Sequence, residues 1–212
     1  MSMFTRSTKL IAVITTILLV CGCATSQRMS NDDKAKIKSV QINESVEKGQ
    51  VFLLAPGGAS VGLMFGAVGG AASAGSIVDA QTAFTDYLSK NSISIEKIVR
   101  EEILNAVRSS GKLAIASATE TTAPSIKIAV PQYGFGVTHL LSSNVVPVLY
   151  IKCEMLDNSG KVIWSASDRI LPSIASPMDA IAWTQLTNDP KQIEAQLKKA
   201  SKFLAEKLIK EL

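Results

Sequence analysis

The sequence predicts an α+β domain: a mostly antiparallel sheet with helices packed on one of its faces. Three observations predict it. Two helical patterns occupy residues 79–107, period-two strand patterns dominate the next sixty residues, and a long amphipathic helix closes the chain. Helices and strands are therefore segregated and do not alternate regularly. With 212 residues, the chain holds one sizeable domain plus a tail, at roughly 150 residues per domain.

The elements follow in chain order. Ile37–Ile42 and Val51–Leu54 are short strand candidates. Between Gly49 and Val78 there is no charged residue, and eight of the 13 glycines fall there. Asp79–Ser89 then carries Ala80, Phe84, Tyr87 and Leu88 at helical spacing. Ile95, Ile98, Val99, Ile103, Leu104 and Val107 make a second amphipathic helix, which Gly111 stops as a C′ glycine. Leu113–Ser117, Ile126–Thr138, Val145–Leu156 and Lys161–Ile170 read as strands. Asp157-Asn158-Ser159-Gly160 is turn chemistry that joins the last two as a hairpin. Alternation places Leu149, Ile151, Cys153 and Met155 on one face, with Tyr150, Lys152 and Glu154 on the other. Ser176-Pro177 and Asp189-Pro190 each combine an N-cap with a proline at the first helical position. The last helix lines up Ile193, Leu197, Ala200, Leu204 and Leu208. Its opposite face alternates Lys with Glu194, Glu206 and Glu211, with Glu194–Lys198 and Glu206–Lys210 at i,i+4 spacing; this is a solvated face and not a nucleic-acid patch.

Composition excludes several classes. Thirteen glycines are too few for collagen, and 47% hydrophobic residues with a net charge of +4 do not fit wholesale disorder. Three cysteines do not make a disulfide scaffold, and several long apolar runs, as in a polytopic membrane protein, are lacking.

The first 23 residues give an address. Arg6 and Lys9 form a basic start, and no acidic residue occurs before Asp32. Leu10–Val20 is apolar apart from Thr15 and Thr16, and is too short for a span of about 20 residues. Val20-Cys21-Gly22-Cys23 follows it. This arrangement resembles the signal and lipobox of bacterial lipoproteins. The resemblance implies cleavage between Gly22 and Cys23, with Cys23 carrying the lipid. A thiolate is the nucleophile suited to taking a diacylglyceryl group. Two or three acyl chains on one residue hold a protein on a bilayer, where one alone binds marginally. Ala24 stands where an inner-membrane retention signal would place Asp, so the implied location is the periplasmic face of the outer membrane. Removing Arg6 and Lys9 lowers the net charge from +4 to +2, so the basic whole-chain balance says nothing about nucleic acid. Residues 23–36 then read as a polar tether, and 37–212 as one α+β domain that includes the Gly-rich segment 49–78. Cys153 is expected to pack as a small core residue.

Gly58, Gly62, Gly66 and Gly70 recur every four residues, and Ala74 continues the row. On a helix this makes a smooth strip that lets another helix approach closely. From Gly58 to Ile77 such a helix is about 30 Å long, enough to cross a hydrocarbon core. Three readings stay open: a membrane-embedded or self-associating glycine zipper, a helical hairpin in the core, and a surface loop.

Gly58-Ala59-Ser60-Val61-Gly62 also satisfies the G-x-S-x-G pattern of a nucleophile elbow, with Asp79 or Asp86 and then His139 to complete a triad. Too few strands precede Ser60 for an α/β-hydrolase sheet, and no oxyanion loop precedes it. His139 is the sole histidine, so no metal site is expected. No nucleotide-binding motif occurs, so no cofactor is expected either.

Residues 95–170 carry a second resemblance. "EEILNAVRSSGKLAIAS", "IKIAVPQYGFGV" and "YIKCEMLDNSGKVIWSASDRI" are similar, in order and in the Asp157, Gly160, Val162-Ile163, Trp164 ending, to the periplasmic domain of a lipoprotein group. That group includes curli-secretion-channel-like lipoproteins and the activators of penicillin-binding proteins. It implies docking onto envelope machinery and not catalysis. The expectation is thus a non-enzymatic, lipid-anchored accessory component with an envelope protein partner. The alternative is an oligomeric subunit of an envelope pore or export complex.

Overall fold

The computed structural model describes residues 26–56, 77–117 and 120–212, with the backbone alone for 77–79. Helix α1 (Asn31–Lys36) leads into strand β1 (Ser39–Leu54). Helices α2 (Ile77–Lys90) and α3 (Ile95–Ser110) follow, then β2 (Ala114–Ile115), β3 (Ser125–Val137), β4 (Asn144–Leu156) and β5 (Val162–Ile170). Strand β6 (Ile181–Ala182) and helices α4 (Trp183–Asn188) and α5 (Pro190–Lys210) complete the chain. The fold is α+β, as the pattern predicts.

The sheet is mixed, which corrects the expectation of mostly antiparallel pairing. Its order is β2-β1-β3-β4-β5, with β6 on β4. Strand β1 runs parallel to both β2 and β3, whereas β4 is antiparallel to β3, β5 and β6. The reason lies in the connections. Strands β3, β4 and β5 follow one another through short turns, but β1 reaches β3 through a long crossover that includes α2 and α3, and a crossover produces parallel neighbours.

Strand β1 is also one element of 16 residues, and not two short strands. Its middle, Asn43–Gln50, looks like a polar loop because it is an exposed, irregular part of the ladder. Ile42 pairs with Ile126 and Val46 with Ile128, so Asn43–Ser45 bulge opposite Lys127. Arg100 Nε donates to the Asn43 carbonyl at 3.0 Å and holds the bulge. Gly49 lies opposite Pro131, where a Cβ would come 2.2 Å from the proline carbonyl oxygen. Pro131 cannot donate to β4, and the β3–β4 register shifts between Ala129 and Gln132.

The face alternation of β4 is as predicted. Leu149, Ile151, Cys153 and Met155 are fully buried, while Tyr150, Lys152 and Glu154 are half-exposed. Lys152 and Glu154 pair at 2.7 Å on the open face. Helices α3 and α5 cover the buried face with Val99, Ile103 and Val107 from one and Ile193, Leu197, Ala200, Leu204 and Leu208 from the other. Burial pushes the Cys153 thiol up to about 12, so it stays protonated and packs as an apolar residue.

Local chemistry sets the helix ends. The Ser94 hydroxyl accepts from Lys97 N at 3.1 Å to start α3, and Gly111 (φ 63°) ends it. Asp189 accepts from Lys191 N at 2.9 Å, with Pro190 opening α5. Ser176-Pro177 starts no helix: Ser176 Oγ accepts from Met178 N at 3.2 Å within the loop between β5 and β6. The ion pairs of α5 are Lys202–Glu206, Lys199–Asp179 and Lys207–Asp168, of which the last ties the helix to β5 at 2.6 Å.

The segment read as a polar tether is held to the domain from Gln27 onward. Gln27 N donates to Ser165 O, and Ser165 N donates to Gln27 O, both at 2.9 Å. Met29 is buried in the core, and the Ser30 hydroxyl caps α1 by accepting from Asp33 N at 3.1 Å. Apolar Met29 and the capping pattern around Ser30 account for this.

Candidate functional site

Three chain segments meet at one end of the sheet. Strand β1 ends at Leu54, which pairs with Gly136, and Val137 at the end of β3 pairs with Val145 at the start of β4. Strand β5 ends at Ile170 beside Leu149, and the chain then crosses to β6, which pairs with Asn144 and Val145. This crossing loop lies over the sheet end. A Cβ on Gly136 would come 2.8 Å from Pro172 Cβ and 3.0 Å from a ring carbon of Phe52. Gly134 (φ 144°) lets β1 approach equally closely, since a Cβ there would meet Phe52 O at 1.9 Å.

This pole is apolar where solvent meets it. Leu140 and Leu141, at the tip between β3 and β4, are 84% and 94% exposed. Ile174, in the loop after β5, is 82% exposed, with Leu54 and Leu171 partly exposed beside these loops. Of the large hydrophobic side chains exposed among the described residues, only Phe203 of α5 lies elsewhere. The surrounding sequence carries no Asp, Glu, Lys or Arg over 51–78, 128–151 or 170–178. The opposite pole is charged. It contains Lys34 and Lys36 of α1, then Lys38, Lys112, Glu120 and Lys161. There Asp157 Oδ1 accepts from Ser159 N, Ser159 Oγ and Lys161 N to form the hairpin turn, with Gly160 at φ 82°.

Two of the polar clefts lie beside helices α2, α3 and α5. One, of 350 Å³, is lined by Lys48, Thr85, Ser94, Glu96 and Tyr133. Lys48 Nζ lies 2.8 Å from Glu96 Oε1, and Ser94 Oγ donates to Glu96 Oε2 at 3.0 Å. Burial alone would raise the Glu96 carboxyl, but hydrogen bonds from Lys48, its own backbone and Ser94 hold it below its usual value. The hydrogen bond to Glu96 raises Lys48 in turn. Burial pushes the Tyr133 phenol up, partly offset by the Lys48 charge. The other cleft, of 730 Å³, runs between the C-terminal halves of α3 and α5, with Lys112, Lys198, Lys202 and Lys210 facing Glu102 and Glu206. Mixed charge of this kind selects neither a strong anion nor a cation.

Several sequence-predicted residues lie outside the described residues: the signal 1–22 with Gly22, the lipid-bearing Cys23, Ser60, and Gly58, Gly62, Gly66 and Gly70. Of the hydrolase partners, His139 is exposed at the β3–β4 tip and Asp86 is exposed on α2. Among the described residues, no cluster of three or more His, Cys, Asp or Glu could hold a metal ion, and no helix is long and apolar enough to cross a membrane. Leu140, Leu141 and Ile174 were not singled out by periodicity, because they fall between the strand and helix patterns. The available signal is the charge-free run from 128 to 151.

No family model matches the chain, and no curated protein matches it. Among solved structures, one likeness is to the PelC dodecamer from Paraburkholderia phytofirmans. It has 16% identity and a TM-score of 0.40, and covers 89% of this chain and 98% of that one. Another is to a protein of the DUF330 family model from Xanthomonas campestris, with 12% identity and a TM-score of 0.42, covering 82% and 81%.

Proposed function

We propose that this protein is a lipoprotein held by Cys23 on the periplasmic face of a bacterial outer membrane, where its α+β domain serves an envelope assembly by binding and not by catalysis. The observation that carries the reading is Val20-Cys21-Gly22-Cys23 directly behind a basic start and an 11-residue apolar run, Leu10–Val20. The held segment at Gln27 supports it, because only residues 24–26 separate Cys23 from the domain. The protein then works within a short distance of the bilayer, within reach of other envelope components. Labelled fatty acid should enter the wild-type protein in cells and not enter Cys23→Ser. Equal labelling of both contradicts the anchor.

A second reading is an oligomeric subunit of a pore or export complex. The four-residue glycine period favours it, as does the long edge of β1, which beyond Val40 has no second strand partner among the described residues. Against open strand addition, the Asn43 and Val51 carbonyls accept from Arg100 and Gln81 side chains. Cross-linking in native membranes separates the readings. A closed ring weakened by Gly66→Leu supports the subunit, whereas a strict monomer excludes it. The serine hydrolase reading requires an active-site probe to label wild type and not Ser60→Ala.

A further inference from the structure

We infer that the uncharged pole formed by Leu54, Leu140, Leu141, Leu171 and Ile174 rests in the interfacial layer of a phospholipid bilayer, and so fixes the orientation of the domain on the membrane. This rests on the proposed lipid anchor and deepens it.

Four observations converge on this surface. First, exposed apolar side chains on three separate segments are gathered at one end of the molecule, whereas singly scattered ones would call for no explanation. Second, the described stretches 51–56, 128–151 and 170–178 carry no Asp, Glu, Lys or Arg, and the charges that flank the crossing loop are Arg169 and Asp179, the latter paired with Lys199, so these stretches themselves meet lipid without desolvating an ion. The only imidazole is His139, which is exposed at the tip and able to reach the headgroups. Third, the bridge between Gln27 and Ser165 is antiparallel, which puts Ser26 on the Arg169 side of Ser165, the side of this pole. Three residues, and so four residue steps, separate Gln27 from Cys23, and a link of that length spans at most about 14 Å, equal to the rise from Ser165 to Arg169. Acyl chains on Cys23 are therefore within reach of the level of Leu171. Fourth, Pro56 follows the end of β1, and Ile77 stands one turn before Gln81, whose Nε2 donates to Val51 O at 2.9 Å, while the sequence between them, 57–76, carries no charge. Both ends of that stretch lie at the same pole. A second copy of the chain would explain the apolar residues, but not the direction of the lipid-bearing end.

The bilayer supplies what each group lacks. Leucine and isoleucine tips enter the boundary between headgroups and acyl chains, as the apolar faces of interfacial proteins do. The opposite pole, with Lys38, Lys112 and Lys161, then faces away from the membrane and is free to meet a partner.

The test uses the full lipoprotein, purified from membranes and reconstituted into vesicles of phosphatidylethanolamine and phosphatidylglycerol. An environment-sensitive fluorophore is placed on Leu141→Cys, Ile174→Cys or, at the opposite pole, Ser159→Cys; Cys153 is buried and does not compete. The inference expects blue-shifted emission, quenched by nitroxide lipids, from positions 141 and 174 but not from 159. It also expects Leu140→Ser with Leu141→Ser to weaken vesicle binding of deacylated protein by about tenfold for each residue. Acylated Cys23 with water-like emission at 141 and 174 overturns the inference and leaves the anchor standing. Bare Cys23 with lipid-quenched labels does the reverse. Shielding of position 141 that needs a second protein copy and no lipid also overturns it.

Discussion

Gln27 and Ser165 exchange both of their backbone hydrogen bonds at 2.9 Å, and Gln27 N is also shared with the Ser165 hydroxyl at 3.0 Å. This pair joins the segment before α1 to the free edge of β5, with Ser26 on the Arg169 side of Ser165. It satisfies the Ser165 backbone groups on that edge, and Gln27 Nε2 donates to Val162 O at 3.0 Å. Gln27→Pro removes the donor to Ser165 O and so loosens the segment whose carbonyl, at position 27, accepts from Ser165 N. The expected loss is local, about 1 kcal/mol, read as roughly fivefold faster exchange of the Ser165 amide with little change in the global unfolding midpoint. Unchanged exchange at Ser165 contradicts the pairing.

Met29 deepens that attachment, since its side chain joins the core cluster. Met29→Ala should cost about 2 kcal/mol and lower the melting temperature by about 4–8 °C. A shift under one degree indicates that 26–30 is a free tether after all.

Close approach of β1 and β3 makes a different demand. Gly134→Ala places a Cβ against Phe52 O in a backbone conformation that L-residues avoid, and should cost about 3 kcal/mol or more. Gly160→Ala, also at positive φ but with open space around it, should cost only about 1 kcal/mol. Chemical denaturation of the two variants distinguishes strand contact from turn strain.

The Lys48–Glu96 pair gives stability a pH signature. Glu96 titrates below its ordinary value in the folded protein, so its contribution is complete above that value and is lost as pH falls through the depressed one. Lys48 titrates above its ordinary value, so its share is complete below 10.5 and is lost as pH rises beyond. Both side chains are partly exposed, which limits the pair to about 1 kcal/mol or less. In Lys48→Met the Glu96 carboxyl should titrate higher, as followed by NMR, and the wild-type advantage should shrink in acid. An unmoved Glu96 titration contradicts the pairing.

Cys153 should be silent toward maleimides in the native protein. Its thiol is buried and pushed up to about 12, so almost no thiolate exists at neutral pH. Unfolding should release one reactive thiol if Cys23 is acylated. A second reactive thiol in mature material contradicts that modification.

Periodicity exposed most of the architecture and little of the site. The stripe from Ile193 to Leu208 and the alternation from Leu149 to Met155 were legible because burial imposes them directly. Strand β1 was not, because its bulge at Asn43–Ser45 and its glycine at 49 interrupt the pattern at the points where the ladder is irregular. Its parallel direction was hidden as well, since direction follows from the crossover and not from residue pattern. Ser176-Pro177 has helix-start chemistry, yet the hydroxyl is used in a turn because no amphipathic run follows. The apolar pole becomes visible only when Leu54, Leu140 and Ile174 are brought together by strand pairing. The lipid attachment proposed at Cys23 is the converse case: the pattern that suggests it, Val20-Cys21-Gly22-Cys23, is written in local sequence, independent of the fold.

The most direct measurement is the intact mass of the protein purified from native membranes in detergent. The account predicts a chain that begins at Cys23 and carries diacylglyceryl, with or without a further acyl group. A mass that retains Met1 and a bare thiol at Cys23 contradicts it.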